Sequence, residues 1–341
     1  MKRLPIIAYH CLLLLVIACK PAPPEPPTPP NPSGRVFILN EGNFLSGNAS
    51  LDRYDPESDS LQSEVFQQVN QRPLGDVLQS AVLWQDKGYL VVNNSNQVEV
   101  VDPDSLSSLG SITGLGSPRY LLPVSDTKAY LSDLYAARLA VVDLAQSAVS
   151  KEIPLPGWTE QMAFVAELVW VLNVKRPWIF AIDPQTDAIV DSISLALGCS
   201  QLQVDANGQL WIGCSESLLD SVPSRLFQVN PNDRRVVQRF IFPEDEQAGE
   251  LAMNPTRDSL YYLNQDLFVL PISATELPGA PLIPSEGSLF YGLGVDPQNG
   301  DIYLADAIDF VQRGWVLRYD SQGSLLSEFR VGLIPGDVVF W

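Results

Sequence analysis

The chain has 341 residues, and its 21 Lys and Arg stand against 40 Asp and Glu for a net charge of −19. An acidic balance of that size argues against nucleic acid and anionic lipid headgroups as partners, because both are bound through basic patches. The single histidine is His10, close to the start of the chain.

Lys2 and Arg3 precede an apolar run, Leu4 to Ile17, which is too short to span a bilayer comfortably and reads as a secretory leader. The run ends in Val16-Ile17-Ala18-Cys19, the pattern of a bacterial lipobox: a branched residue, a small residue, then a cysteine that takes lipid. The expectation is a lipoprotein signal peptide over residues 1–18 and a lipidated Cys19, with an uncleaved anchor or ordinary secretion as alternatives. Residues 20–34, "KPAPPEPPTPPNPSG", hold eight prolines and no apolar side chain larger than alanine. They cannot build a core and should form a stiff polyproline II spacer of about 3.1 Å per residue, roughly 45 Å in all. With Cys19 they make a linker over residues 19–34, so contact with the membrane is expected through the lipid anchor only.

Removing the leader takes away His10, and with it Ser-His-Asp and Cys-His catalysis, histidine-ligated metals and a histidine general base. A non-enzymatic role is the expectation. Cys11 leaves as well, and Cys19 carries lipid. Cys199 and Cys214 remain, in an oxidising compartment, and are expected to pair as a disulfide, with a metal site the weaker reading.

From residue 35 onward one unit recurs: an alternating strand ending in Asp-Pro or a near equivalent, a polar turn, and a second strand. It appears first as "LDRYDPESDSLQSEVF", then "VEVVDPDSLSSLGSI", "LAVVDLAQSAVSKEI", "IFAIDPQTDAIVDSI", "LFQVNPNDRRVVQRF", "LFVLPISATELPGAP" and "VLRYDSQGSLLSEFR". The turns open at Asp55, Asp102, Asp143, Asp183, Asn230, Pro271 and Asp320, spaced 40 to 49 residues apart. Asp or Asn there caps backbone N–H groups of the turn, and a following Pro presets φ. A second hairpin type lies between these units, from "SAVLWQDKGYLVVNN" to "GLGVDPQNGDIYLAD", and only six copies exist. Four strands in a period of about 44 residues is the signature of a β-propeller blade. The missing half-hairpins sit at the two ends of the domain, "RVFILNEG" near Arg35 to Gly42 and the closing "GDVVFW". Paired, they complete a blade whose outer strands are expected at Ser50 to Asp55 and Leu61 to Phe66, leaving no bare edge. The fold class is therefore all-β: one seven-bladed β-propeller over residues 35–341, expected to be monomeric, with its ring closed by the first and last strands.

In such a meander, the loops entering the innermost strands and the loops between second and third strands emerge on one face. That face collects the candidate ligand-binding residues. The aromatic ones are Phe44, Tyr135, Trp158, Trp178 and Tyr291; the charged ones are Asp76, Arg119, Glu160, Arg176 and Asp306; the amides are Asn43, Asn94 and Gln201. Aromatic and polar side chains on loops over a rigid scaffold suit ligand binding, although any one aromatic could instead pack between blades. Carboxylates at the mouth, Glu250 among them, could in principle form an acid/base pair of the glycosidase kind, but solvated rim charges are the default. "DPQNGD" at Asp296 to Asp301 lacks the alternating ligands of a calcium loop, so no metal is expected.

Longer stretches, "FILNEGNFLSGNASLDRYDPES", "VNQRPLGDVLQSAVL", "GYLVVNNSNQVEVVDP", "YGLGVDPQNGDIYLADAIDFVQRGWVLRYDSQGSLL" and "FRVGLIPGDVVF", resemble the BtuG-type cobalamin-binding surface lipoproteins of the Bacteroidetes, which carry a YncE-like propeller. The resemblance runs from Arg35 to the end. It implies a protein that captures cobalamin or a related corrinoid and delivers it to a TonB-dependent outer-membrane transporter. It also implies an outer-membrane lipoprotein at the cell surface, with the periplasmic side as the alternative. The motifs that carry it include Asn40-Glu41-Gly42-Asn43-Phe44, Gly75-Asp76, Gln79-Ser80, Asn93-Asn94-Ser95 and Tyr291-Gly292. The alternative function is a propeller scaffold that binds another nutrient, a peptide or a protein.

Overall fold

The structure, a computed structural model, describes residues 34–215, 223–244 and 246–341. The leader, Cys19 and the linker up to residue 33 lie outside the described residues, as do residues 216–222 and 245. Among the described residues, no helix is long and apolar enough to cross a membrane.

Alternating Val, Ile, Leu and Tyr residues fold into seven antiparallel sheets. The innermost strands are Pro335–Phe340, Leu78–Trp84, Pro118–Ser125, Thr159–Val165, Cys199–Val204, Leu251–Met253 and Phe290–Val295, one per blade. Each touches the next in cyclic order, so the seven strands enclose a channel. The second strands are buried along most or all of their length, completely so in Leu210–Cys214 and Ile302–Asp306, because blades cover them on either side. The core therefore lies between blades: Trp170, Leu172 and Ile179 of the fourth pack with Leu202, Leu210 and Ile212 of the fifth.

The ring closes as the sequence predicts. Val36–Asn40 pairs with the last strand, Val36 opposite Phe340 and Ile38 opposite Val338. Arg35 and Trp341 exchange both backbone hydrogen bonds, at 3.1 and 2.9 Å, and the rings of Phe37 and Trp341 lie 4.6 Å apart.

Two elements depart from expectation. The outer strand of the ring-closing blade is only Ser60–Gln62, and Val65–Asn70 is a short helix rather than its continuation. The Asp52 carboxylate accepts the Glu64 N–H at 2.7 Å where the chain turns, and the first two residues of the helix, Val65 and Phe66, are buried. The sixth sheet has three strands, ending at Asp266–Pro271. Pro271, Pro278 and Pro281 supply no N–H for a ladder. All that remains of the expected fourth strand is one bridge, Leu267 to Ile283.

One device recurs on the predicted binding face. At the end of the second strand stands Asn40, Asn93, Asp133, Asn173, Asn264 or Asp306 in six blades. In four of these the side chain reaches back to the loop entering the same blade: Asp133 accepts from Gly116 and Ser117 N–H, Asn173 from Trp158 N–H, Asn264 from Gln247 N–H and Asp306 from Leu289 N–H. In the fifth blade Cys214 takes this position. It lies directly opposite Cys199, and the disulfide between them joins the same two segments covalently.

Candidate functional site

All seven innermost strands start on the same face, so their first residues form the upper tier of the channel. Strict alternation would aim every second residue at it, but register shifts change the aim. Leu78 pairs with Val92 and Ser80 with Val91, which leaves Gln79 without an opposite residue. The same shift frees Arg119 and Tyr120, Glu160 and Gln161, Ser200, and Tyr291 in four other blades. β-Bulges of this kind bend a strand and re-aim its side chains. In the ring-closing strand the extra residue is Gly336, where an added Cβ would sit 2.7 Å from Glu41 Oε1.

These residues line a cavity of about 1090 Å³. Its upper tier is polar and hydrogen-bonded around the ring. Arg119 Nη1 donates to Gln79 Oε1, and its Nε donates to Glu160 Oε2 at 3.0 Å. Gln161 donates to Gln201 Oε1 at 3.1 Å, Gln201 donates to Glu250 Oε1 at 2.8 Å, and the Tyr291 hydroxyl donates to Glu41 Oε1 at 3.1 Å. Further down the wall turns apolar, with Ala81, Leu83, Leu293, Val295 and Val339. Among the described residues no group of three or more His, Cys, Asp or Glu side chains is placed to hold a metal ion.

The upper tier concentrates negative charge. Glu41, Glu160, Glu250 and Asp337 face one guanidinium, that of Arg119. Burial pushes Glu250 up to about 8, with Asp337 adding repulsion and the Gln201 hydrogen bond only partly offsetting it. Burial likewise pushes Asp337 up to about 6, against the hydrogen bond from Val338 N–H. Glu41 and Glu160 are also raised by burial, despite the Tyr291 hydroxyl beside the first and Arg119 beside the second. Water reaches Glu250 and Asp337 along the channel, but protein walls surround them, and the walls set the cost of their charge.

The structure brings Phe44, Arg119, Tyr135, Glu160, Gln201 and Tyr291 together on this cavity. Phe44 and Tyr135 stand at its rim, each about two-thirds exposed, at 68% and 67%. Trp158 supports the rim from behind, its ring edge-on to Tyr135 at 5.3 Å and the Lys175 ammonium 4.2 Å from its centroid. Other predicted residues hold loops. Asp76 accepts from Leu45 N–H at 2.9 Å and from the Asn94 amide at 2.5 Å, while Asn43 donates to the Phe310 carbonyl at 3.0 Å. Asp306 caps its own loop through Leu289 and Ile308 N–H. Arg176 and Trp178 are exposed on the fourth blade, outside the cavity lining.

Glu41, Gln79, Gln161 and Asp337 line the cavity too and were not among the predicted site residues. For Gln79, Gln161 and Asp337 the signal is a polar residue one or two positions after the start of an inner strand, where an apolar one is expected; Glu41 instead follows the end of the second strand Val36–Asn40. Only the bulges convert that signal into a direction.

The propeller fold is shared with solved structures at low sequence identity. A quinonprotein alcohol dehydrogenase-like protein from Bacteroides thetaiotaomicron superposes with a TM-score of 0.71 at 14% identity, over 90% of this chain and 78% of that one. A candidate 6-phosphogluconolactonase from Bacteroides fragilis gives 0.63 at 14% identity, over 91% and 98%. A functionally unknown protein from Desulfotomaculum acetoxidans gives 0.65 at 10%, over 90% and 99%. A comparison with curated protein sequences finds no match. Residues 34–332 match one family model, so the chain belongs to the family described as a domain of unknown function, DUF5074.

Proposed function

We propose that the protein is a non-enzymatic, lipid-anchored binding protein of the outer membrane that captures cobalamin or a related corrinoid at the channel mouth and passes it to a TonB-dependent transporter. The observation that carries this reading is the lining of the cavity. About 1090 Å³ of space is edged by the amides of Gln79, Gln161 and Gln201 and by the aromatic rings of Phe44, Tyr135 and Tyr291. That volume stands at the upper end of the range for small-molecule sites and suits a bulky ligand. Amides match a ligand that carries many amides of its own, and rim aromatics supply flat apolar surface for a macrocycle. A corrinoid can be held through its side chains and ring faces, so the absence of histidine after residue 10 is compatible with the reading. Gel filtration of the purified domain with cyanocobalamin tests it: the red chromophore should co-elute with the protein at micromolar concentration, and its failure to do so refutes the reading.

A second reading, an interaction scaffold for another partner, draws on the outer strands Ala188–Ser194 and Arg235–Ile241 of neighbouring blades. These expose Val190, Val237 and Ile241, at 48%, 57% and 51%. Cross-linking on cells separates the two readings. A transporter for a different nutrient as the captured partner would favour the second.

A further inference from the structure

We infer that the upper tier of the channel makes the protein selective for carboxamide over carboxylate side chains on its ligand, with Glu41 and Asp337 as the residues that discriminate. The inference rests on the corrinoid reading and adds to it which side chains of the ligand are accepted.

The tier holds four carboxylates, counting Glu160, and the guanidinium of Arg119; Arg257, the other arginine of the lining, stands on the turn after Leu251–Met253, at the far end of the channel. The guanidinium of Arg119 is already engaged, through Nε with Glu160 and through Nη1 with Gln79. A ligand carboxylate that enters the mouth thus finds the Arg119 charge already paired with Glu160, and it lies beside Glu41 and Asp337, groups of its own charge, between walls that screen poorly. A carboxamide meets the reverse situation. Its N–H groups donate to the oxygens of Glu41 and Asp337. Its carbonyl accepts from Glu250, because burial leaves that carboxyl largely protonated at neutral pH, with its pKa at about 8. Gln201 orients Glu250 by donating to Oε1, which leaves the other oxygen for the ligand. The walls that make a charge costly here also strengthen a hydrogen bond between neutral partners.

The test compares cyanocobalamin with its monocarboxylic acid, in which one propionamide of the corrin is hydrolysed, by calorimetric titration at pH 7.5. The expected result is binding of cyanocobalamin and at least tenfold weaker binding of the acid. The double variant Glu41→Gln with Asp337→Asn should bring the two affinities within about threefold of each other, chiefly by improving the acid. Equal affinities in the native protein overturn the inference and leave the corrinoid reading standing. Binding of neither compound overturns both. Should the double variant fail to fold, as judged by circular dichroism, the native comparison decides alone.

Discussion

Glu250 has its charge held down by the fold, and this makes a pH signature. Its folded pKa, about 8, lies above the ordinary value of 4.5. Between those values the folded state keeps a proton that the unfolded chain has released, so stability is greatest below about 4.5 and falls as pH rises toward 8. Asp337 acts in the same direction over a lower window, from 3.8 to about 6. The urea midpoint should therefore fall between pH 5 and pH 8, and Glu250→Gln should flatten that fall; an unchanged slope in the variant would refute the assignment. Arg119 is the counterpart. The side chain of its partner Glu160 is only 5% exposed, so Arg119→Met strands a buried carboxylate and should cost about 3 kcal/mol in chemical denaturation. A loss below 1 kcal/mol would show the pair to be solvated.

At the level of elements, the disulfide does by covalent means what Asn or Asp does in other blades. Replacing both Cys199 and Cys214 by alanine opens a loop with a sequence separation of 15 and should cost about 3 kcal/mol. If Cys214 occupies a clamp position, Cys199→Ser with Cys214→Asn should recover about 1 kcal/mol of that loss, read from the urea midpoint. No recovery would mean that the cystine alone holds the loop. The repeat of strand, polar turn and strand was legible because six of the seven turns carry their own chemistry, at residues such as Asp102, Asp183 and Asp320. The helix after Gln62 was not, because it depends on Asp52, twelve residues before the Glu64 N–H that it caps. In the sixth blade the prolines at 271, 278 and 281 did carry a warning, which the even spacing of the turns outweighed. Within the site, Phe44, Tyr135, Glu160 and Gln201 were readable from loop position. Gln79 and Gln161 were not selected, because a bulge exists only relative to the partner strand. Asp337 escaped because the closing run reads as a strand whose interest lies in ring closure.

On the scale of the whole molecule, a single ring depends on one clasp. Deleting residues 335–341 removes the innermost strand of the ring-closing blade and exposes Val36–Asn40, buried at every position, as an open edge. The truncated protein should lose its cooperative thermal transition and aggregate, as followed by calorimetry and light scattering. A sharp transition within a few degrees of the full-length value would contradict closure by that strand. The clasp also carries Asp337 and Gly336 into the cavity wall, so ring and site are completed by the same residues. The central claim is that the ligand sits over this wall, and anomalous diffraction at the cobalt edge from crystals grown with cyanocobalamin tests it most directly. One cobalt peak is predicted at the channel mouth, between Tyr135 and Tyr291 and above Arg119 and Glu250. A peak on the outer strands, or no peak in crystals grown with cyanocobalamin in excess, would contradict the account.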